Sequence, residues 1–233
     1  MRHLIWITVV SFGLTRLVSG QTTGAGEVEL ALDAIGKGTV DEMKGRLITS
    51  SITVFNDAYR ARAVAALPAP ILTRRITQGW LFRRAEEILK RTLQLHGRGG
   101  KVELFLFKDD APSAMLWRGC AVAVSDGLAD TLDDGELAGV FAHELGHSYF
   151  EDEMAAALQA RDALALRVVE LKCDAVAMLS LKLLGYDPAH FLKALQRIQL
   201  IKSRKNLSIS VVQSHPDLRA RAMFSQRFIQ SLG

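Results

Sequence analysis

Between Glu153 and Leu184 the chain has neither Gly nor Pro. An unpunctuated stretch of that length reads as one long helix or two abutting ones. Within it Val168, Val169, Leu171, Ala175, Val176 and Ala177 surround two carboxylates, Glu170 and Asp174. One helical turn apart, these two share a face. Carboxylates in so apolar a setting need a partner, and a cation is the obvious one; the bland alternative is a solvated acidic pair on a helix surface. Gly185 closes the stretch, and Asp187-Pro188 opens a further helix, Asp as cap and Pro in its first turn.

Upstream, His143-Glu144-Leu145-Gly146-His147 spells HExxH in a segment that reads as a helix. Asp133 with Glu136 gives a capping-box start, and Leu137, Val140, Phe141 and Leu145 continue the helix to about Phe150. His143 and His147 then lie on one face and can bind one Zn²⁺ through nitrogens at ~2.0–2.1 Å. Glu144 sits beside the metal but off it, placed to accept a proton from water. A catalytic zinc takes three protein ligands and keeps one position open. A long helix returning antiparallel supplies the third ligand, Glu170. Asp174, one turn on, accepts the N–H of a ligand histidine and fixes its tautomer. The alternative is a solvated histidine pair beside a surface glutamate.

HELGH followed by Glu170-Leu171-Lys172-Cys173-Asp174 resembles the HExxH and ExxxD pair of the gluzincin metallopeptidases. More specifically it resembles metallopeptidase family 48, which includes the HtpX-like heat-shock proteases and the CaaX prenyl proteases. Val122–Leu128, then Asp134–His143, is similar to that family's strand, turn and active-site helix. Ser214-His215-Pro216 with Arg221 is similar to its downstream "THPxxxxxR" element. The resemblance spans roughly 75–230. It departs in having Ser113-Ala114 where Asn-Ala is frequent, in lacking a histidine shortly after the second ligand, and in having no membrane helices beside the core. It implies peptide hydrolysis with one Zn²⁺ per chain, Glu144 as general base and a peptide or unfolded protein as substrate. It also implies that the strand Ala121, Val122, Ala123, Val124 (to Ser125) holds substrate as an added antiparallel strand, the alternative being a covered sheet edge. His215 and Arg221 are candidate transition-state or substrate contacts. His215 could equally cap the last helix, and Arg221 could pair with a carboxylate near the site or lie on the surface.

The expected fold is α+β: a mainly helical zincin-like (minigluzincin-type) domain with a small β-sheet of at least two strands beside the HExxH helix. Residues 28–66 read as helices broken at Gly36-Lys37-Gly38, with Pro68-Ala69-Pro70 a stop or linker. Ile76–Leu95 reads as a helix with Trp80 on its apolar side. Val102–Phe107 reads as a strand, and 114–124 as a second strand region with a bulge or kink at Gly119. Leu207–Val212 is an extended piece and Pro216–Leu232 a last helix.

Composition sets outer limits. Apolar residues at 49% and charged residues at 23% exclude wholesale disorder. A net charge of +4 with no basic stripe gives no footprint for nucleic acid. Two cysteines make neither a disulfide scaffold nor a four-thiolate zinc site. The start Met1-Arg2-His3, the short apolar run Leu4–Leu14 and the compact Val18-Ser19-Gly20 read as a secretory signal over 1–20, too short and interrupted for an anchor. A mobile 21–27, a helical 21–70 serving as lid, pro-segment or part of the helical core, and a metallopeptidase domain over 71–233 follow. The mature protein is expected in a periplasm or outside the cell, with no transmembrane anchor. There Cys120 and Cys173 could bridge, although two separate buried thiols fit better. A rival function is an exported quality-control or assembly factor that binds exposed strands with slow or conditional proteolysis. A structural zinc protein is weaker, because closed sites use four protein ligands.

Overall fold

The computed structural model describes residues 24–48, 55–204 and 216–232. The signal 1–20, the extended piece 207–212 and His215 lie outside the described residues. In chain order come helices α1 (Ala25–Ile35), α2 (Val40–Leu47), α3 (Asp57–Ala65) and α4 (Ala69–Thr73), then strand β1 (Arg75–Ile76) and helix α5 (Trp80–Leu95). Strands β2 (Glu103–Phe107), β3 (Ala114–Trp117) and β4 (Ala121–Ser125) follow. Helices α6 (Asp126–Thr131), α7 (Asp134–Gly146), α8 (Glu151–Ala160), α9 (Ala163–Leu183), α10 (Ala189–Arg204) and α11 (Leu218–Ser231) complete it.

Local chemistry accounts for most boundaries. Thr39 with Glu42, and Asp133 with Glu136, form reciprocal capping boxes that start α2 and α7. The stretch without Gly or Pro divides into two helices, because Arg161 adopts a left-handed conformation and Asp162 caps α9 by accepting the N–H groups of Leu164 and Ala165. Helix α7 stops at Gly146, short of the expected Phe150. His147 keeps helical dihedrals as its cap, so the one-turn relation to His143 survives. Of the stretch expected to be mobile, Ala25 to Glu27 enter α1 with Gly24 at its start, and Glu27 is buried against Arg167. Trp80, expected on an apolar face, is 61% exposed, because the helix begins there, after Gly79, and Ile76 belongs to β1.

The supposed kinked strand 114–124 is a hairpin. Arg118 and Gly119 both have positive φ, and the Cys120 N–H donates to the Trp117 carbonyl at 2.9 Å, so the chain reverses there. The hairpin completes a four-stranded sheet of order β1-β2-β4-β3. β4 pairs parallel with β2 (Leu104 opposite Val122) and antiparallel with β3 (Leu116 opposite Val122). Both edges of β4 are therefore filled, and the strand expected to receive substrate is interior and buried throughout. The edge belongs instead to β3.

Alternation along the strands splits the apolar residues between two clusters. Leu104, Leu106, Val122 and Val124 face the main core with α5, α7 and α9. Phe105, Phe107, Trp117, Ala121 and Ala123 face the other way and are covered by Leu67 and Ile71. Val28, Ala31 and Ile35 of α1 and Met43 and Leu47 of α2 belong to the main core. The fold is α+β and mainly helical, with a small sheet beside the HExxH helix.

Candidate metal centre

Two glycines set the approach of α7 to α9. A methyl group at Gly139 would lie 3.2 Å from Leu181 Cδ1, and one at Gly146 would lie 3.1 Å from the Cα of Cys173. The pairing of 139 with 181 and 146 with 173 makes the helices antiparallel, and Glu170 and Asp174 are carried to the level of the histidines.

There the groups converge. Glu170 Oε2 is 3.5 Å from His143 Nε2, and Glu170 Oε1 is 3.9 Å from His147 Nε2. Donor atoms ~2.0–2.1 Å from one tetrahedral ion lie about 3.4 Å from each other, so this spacing fits a single zinc. Side-chain ligand atoms of His143, Glu144 and His147 lie within 4.8 Å of one another. The donor set, two imidazoles and a carboxylate, suits zinc better than a hard cation. His143 Nδ1 lies 3.0 Å from Asp174 Oδ1, which leaves Nε2 for the metal. Burial by itself would push the His143 imidazole down, but hydrogen bonds to Asp174 and Glu170 carry it up to about 9. The cluster thus draws positive charge towards the point where the three donors meet.

Asp174 is wholly buried. Arg221, from α11, donates through Nε to Oδ2 at 2.8 Å and through Nη2 to Oδ1. Burial raises the Asp174 carboxyl, but the charge of Arg221 and the hydrogen bonds from His143 and Arg221 together outweigh it and hold the group below its ordinary value. Arg221 thus pairs with a carboxylate near the site, one of the alternatives considered for it. The ring of Phe191 (α10) stacks on His143 with centroids 5.5 Å apart, and the Arg221 guanidinium lies 5.6 Å from the same ring. Nothing in the sequence marks Phe191 out, because its partner is reached only through the packing of α10 on α7.

Two further features were not legible as site residues. Leu116 of the edge strand donates its N–H to Glu144 Oε2 at 3.1 Å. Cys173 Sγ is 3.6 Å from His147 Nδ1. Burial, then the charges of Glu170, Asp174 and Glu144, push the Cys173 thiol well up, and both cysteines are buried and free. Behind the site, His96 Nδ1 lies 2.7 Å from the Tyr149 hydroxyl and Nε2 lies 3.0 Å from Ser180 Oγ. Tyr149 is thus a brace on the turn after His147, with Arg98 stacked 5.2 Å from its ring. Tyr186 accepts from Arg91 Nη1 at 3.2 Å.

Helix-borne histidines, a carboxylate on the returning helix and an adjoining edge strand define a mainly helical zincin-like domain. Residues 75–171 match the model of peptidase family M48, so that segment is similar to this family. A stretch of 81 residues is 33% identical to a protein from Acidiphilium cryptum described as a protease HtpX homolog. The match covers 33% of this chain and 25% of that protein, so the chain spans about a quarter of the relative's length. Among the described residues no helix is long and apolar enough to cross a membrane.

Proposed function

We propose that the chain is a zinc-dependent endopeptidase acting on extended or unfolded protein segments. The observation that carries this reading is the convergence of His143, His147 and Glu170 with Glu144 alongside, next to the edge strand β3. His143, His147 and Glu170 would hold a zinc ion, which would supply Lewis acidity for polarising a carbonyl and activating water. Glu144 accepts the proton of the attacking water and returns it to the departing amine. Asp174, held by Arg221, keeps His143 in the tautomer with Nε2 free. Substrate adds to β3, where main-chain bonds give affinity. A substrate carbonyl would compete for the Leu116 N–H, and Glu144 would be released from it as the strand docks.

The test is casein degradation by the zinc-loaded chain starting at Gln21, beside Glu144→Gln with equal measured zinc. Loss of a general base lowers the rate about 10²–10⁴-fold; equal cleavage by both proteins would overturn the reading. Export is part of the proposal, supported by the basic start and short apolar run before Val18-Ser19-Gly20. Mass spectrometry of the exported chain should show a start at Gln21, and an uncut Met1 would count against it.

A further inference from the structure

Helix α9 presents three side chains to the site from one face. Glu170, Cys173 and Asp174 follow the three- and four-residue spacing that stacks groups along a helix. Opposite them, His143 and His147 lie one turn apart on α7. Because the helices run antiparallel, each histidine meets its own residue. Asp174 Oδ1 lies 3.0 Å from His143 Nδ1, and Cys173 Sγ lies 3.6 Å from His147 Nδ1.

A histidine that binds metal through Nε2 carries its proton on Nδ1, and that N–H needs an acceptor to fix the tautomer and the ring plane. Asp174 does this for His143. For His147 the sulfur within hydrogen-bonding range is Cys173, whose side chain is fully buried. The contact depends on the helix crossing. A methyl at Gly146 would meet the Cα, Cβ and Sγ of Cys173 at 3.1, 3.2 and 3.4 Å. A side chain at 146 would press the two helices apart by a few tenths of an ångström, away from the distance at which the sulfur reaches the ring of the next residue, His147.

We infer that Cys173 is a positioning residue for His147, accepting its Nδ1–H and holding Nε2 towards the metal. The inference rests on the zinc reading of the histidine pair. It makes the pair unequal: His143 is oriented by a carboxylate, and His147, the more exposed of the two at 25% against 10% of the side chain, by a weaker sulfur acceptor. The competing account is that Cys173 is a small apolar filler at a tight crossing.

Three variants of the full mature chain separate the accounts. Cys173→Ser keeps an acceptor, Cys173→Val keeps the bulk without one, and Cys173→Ala removes both. Zinc affinity is read by competition with a chromophoric chelator, and the His147 tautomer by ring ¹⁵N shifts in the metal-free protein. Partners of ligand histidines are typically worth ten- to a hundredfold in metal affinity, and a sulfur belongs at the low end, so Cys173→Val and Cys173→Ala should each lose about tenfold. Cys173→Ser should stay within about threefold of wild type. The Nδ1–H form of His147 should be less populated in the first two variants only. Wild-type affinity and an unchanged tautomer in Cys173→Val would overturn the inference in favour of a filler. If the wild type binds no zinc, or His147→Ala binds it equally well, the zinc reading itself fails, and the inference with it.

Discussion

Arg221 has more effect on stability than its late position in the chain suggests. Its partner Asp174 is wholly buried, and the pair sits directly behind a ligand histidine. Removing one member of a buried ion pair strands the other charge and costs ~3–5 kcal/mol. Arg221→Ala should therefore lower the urea midpoint by that equivalent and weaken zinc binding as well. A variant with wild-type stability would show that water replaces the guanidinium. The candidate metal ligands were legible because HExxH and ExxxD are spacings, and spacing on a helix is geometry. Asp174 was legible for the same reason. Cys173 carries a usable signal, since it shares the face of Glu170 and Asp174. Leu116 carried none: a backbone N–H has no residue type to recognise.

Elements were read well where punctuation was strong and poorly where it was subtle. The capping boxes of α2 and α7 were both spelled out in sequence, though only the one before α7 was used. The break between α8 and α9 depends on Arg161 adopting a conformation usually left to glycine, so no Gly or Pro announced it. The hairpin turn is hard to tell from a bulge or kink in the sequence because only one of its two left-handed residues is a glycine. The expected substrate strand, taken from the resemblance, is β4, which is paired on both sides, while β3 lies at the edge. One brace between elements has a clear pH signature. His96 ties the end of α5 to the turn after His147 and to α9, and it is almost wholly buried. Burial, with Arg98 nearby, pushes its imidazole down to about 3. A histidine depressed in the folded state binds its proton more readily when unfolded. Its contribution is therefore complete above the ordinary pKa of about 6.5 and is lost as pH falls from there towards 3. Denaturation of wild type and His96→Gln across that range should give a stability difference that narrows with acidification. A constant difference would mean that the imidazole is not held neutral.

At the scale of the molecule, the segment before the sheet is built into the core. Val28, Ile35, Met43 and Leu47 are nearly inaccessible, and burying such side chains contributes ~1.5–3 kcal/mol each. Their sum is comparable with the whole net stability of a domain, ~5–15 kcal/mol. Deleting 21–66 should abolish cooperative unfolding, measured by circular dichroism. A lid or pro-segment would instead leave a folded protein with equal or greater cleavage of casein. The sequence showed these residues as helical but not where they dock, because amphipathic pattern fixes which face is buried and not what covers it. Only the packing of α1 on α9, with Glu27 against Arg167, decides that.

The ion pair behind the ligand histidine also sets an order in time. Asp174 and Arg221 are separated by 47 positions. At ~5–20 residues per second of synthesis, a ribosome completes HExxH and ExxxD several seconds before the arginine that steadies them. Until then a growing chain holds His143, Glu144, His147 and Glu170 with Asp174 uncompensated. The cell that makes this protein thus meets the finished site only after nearly the whole of this sequence has been translated and folded back on itself.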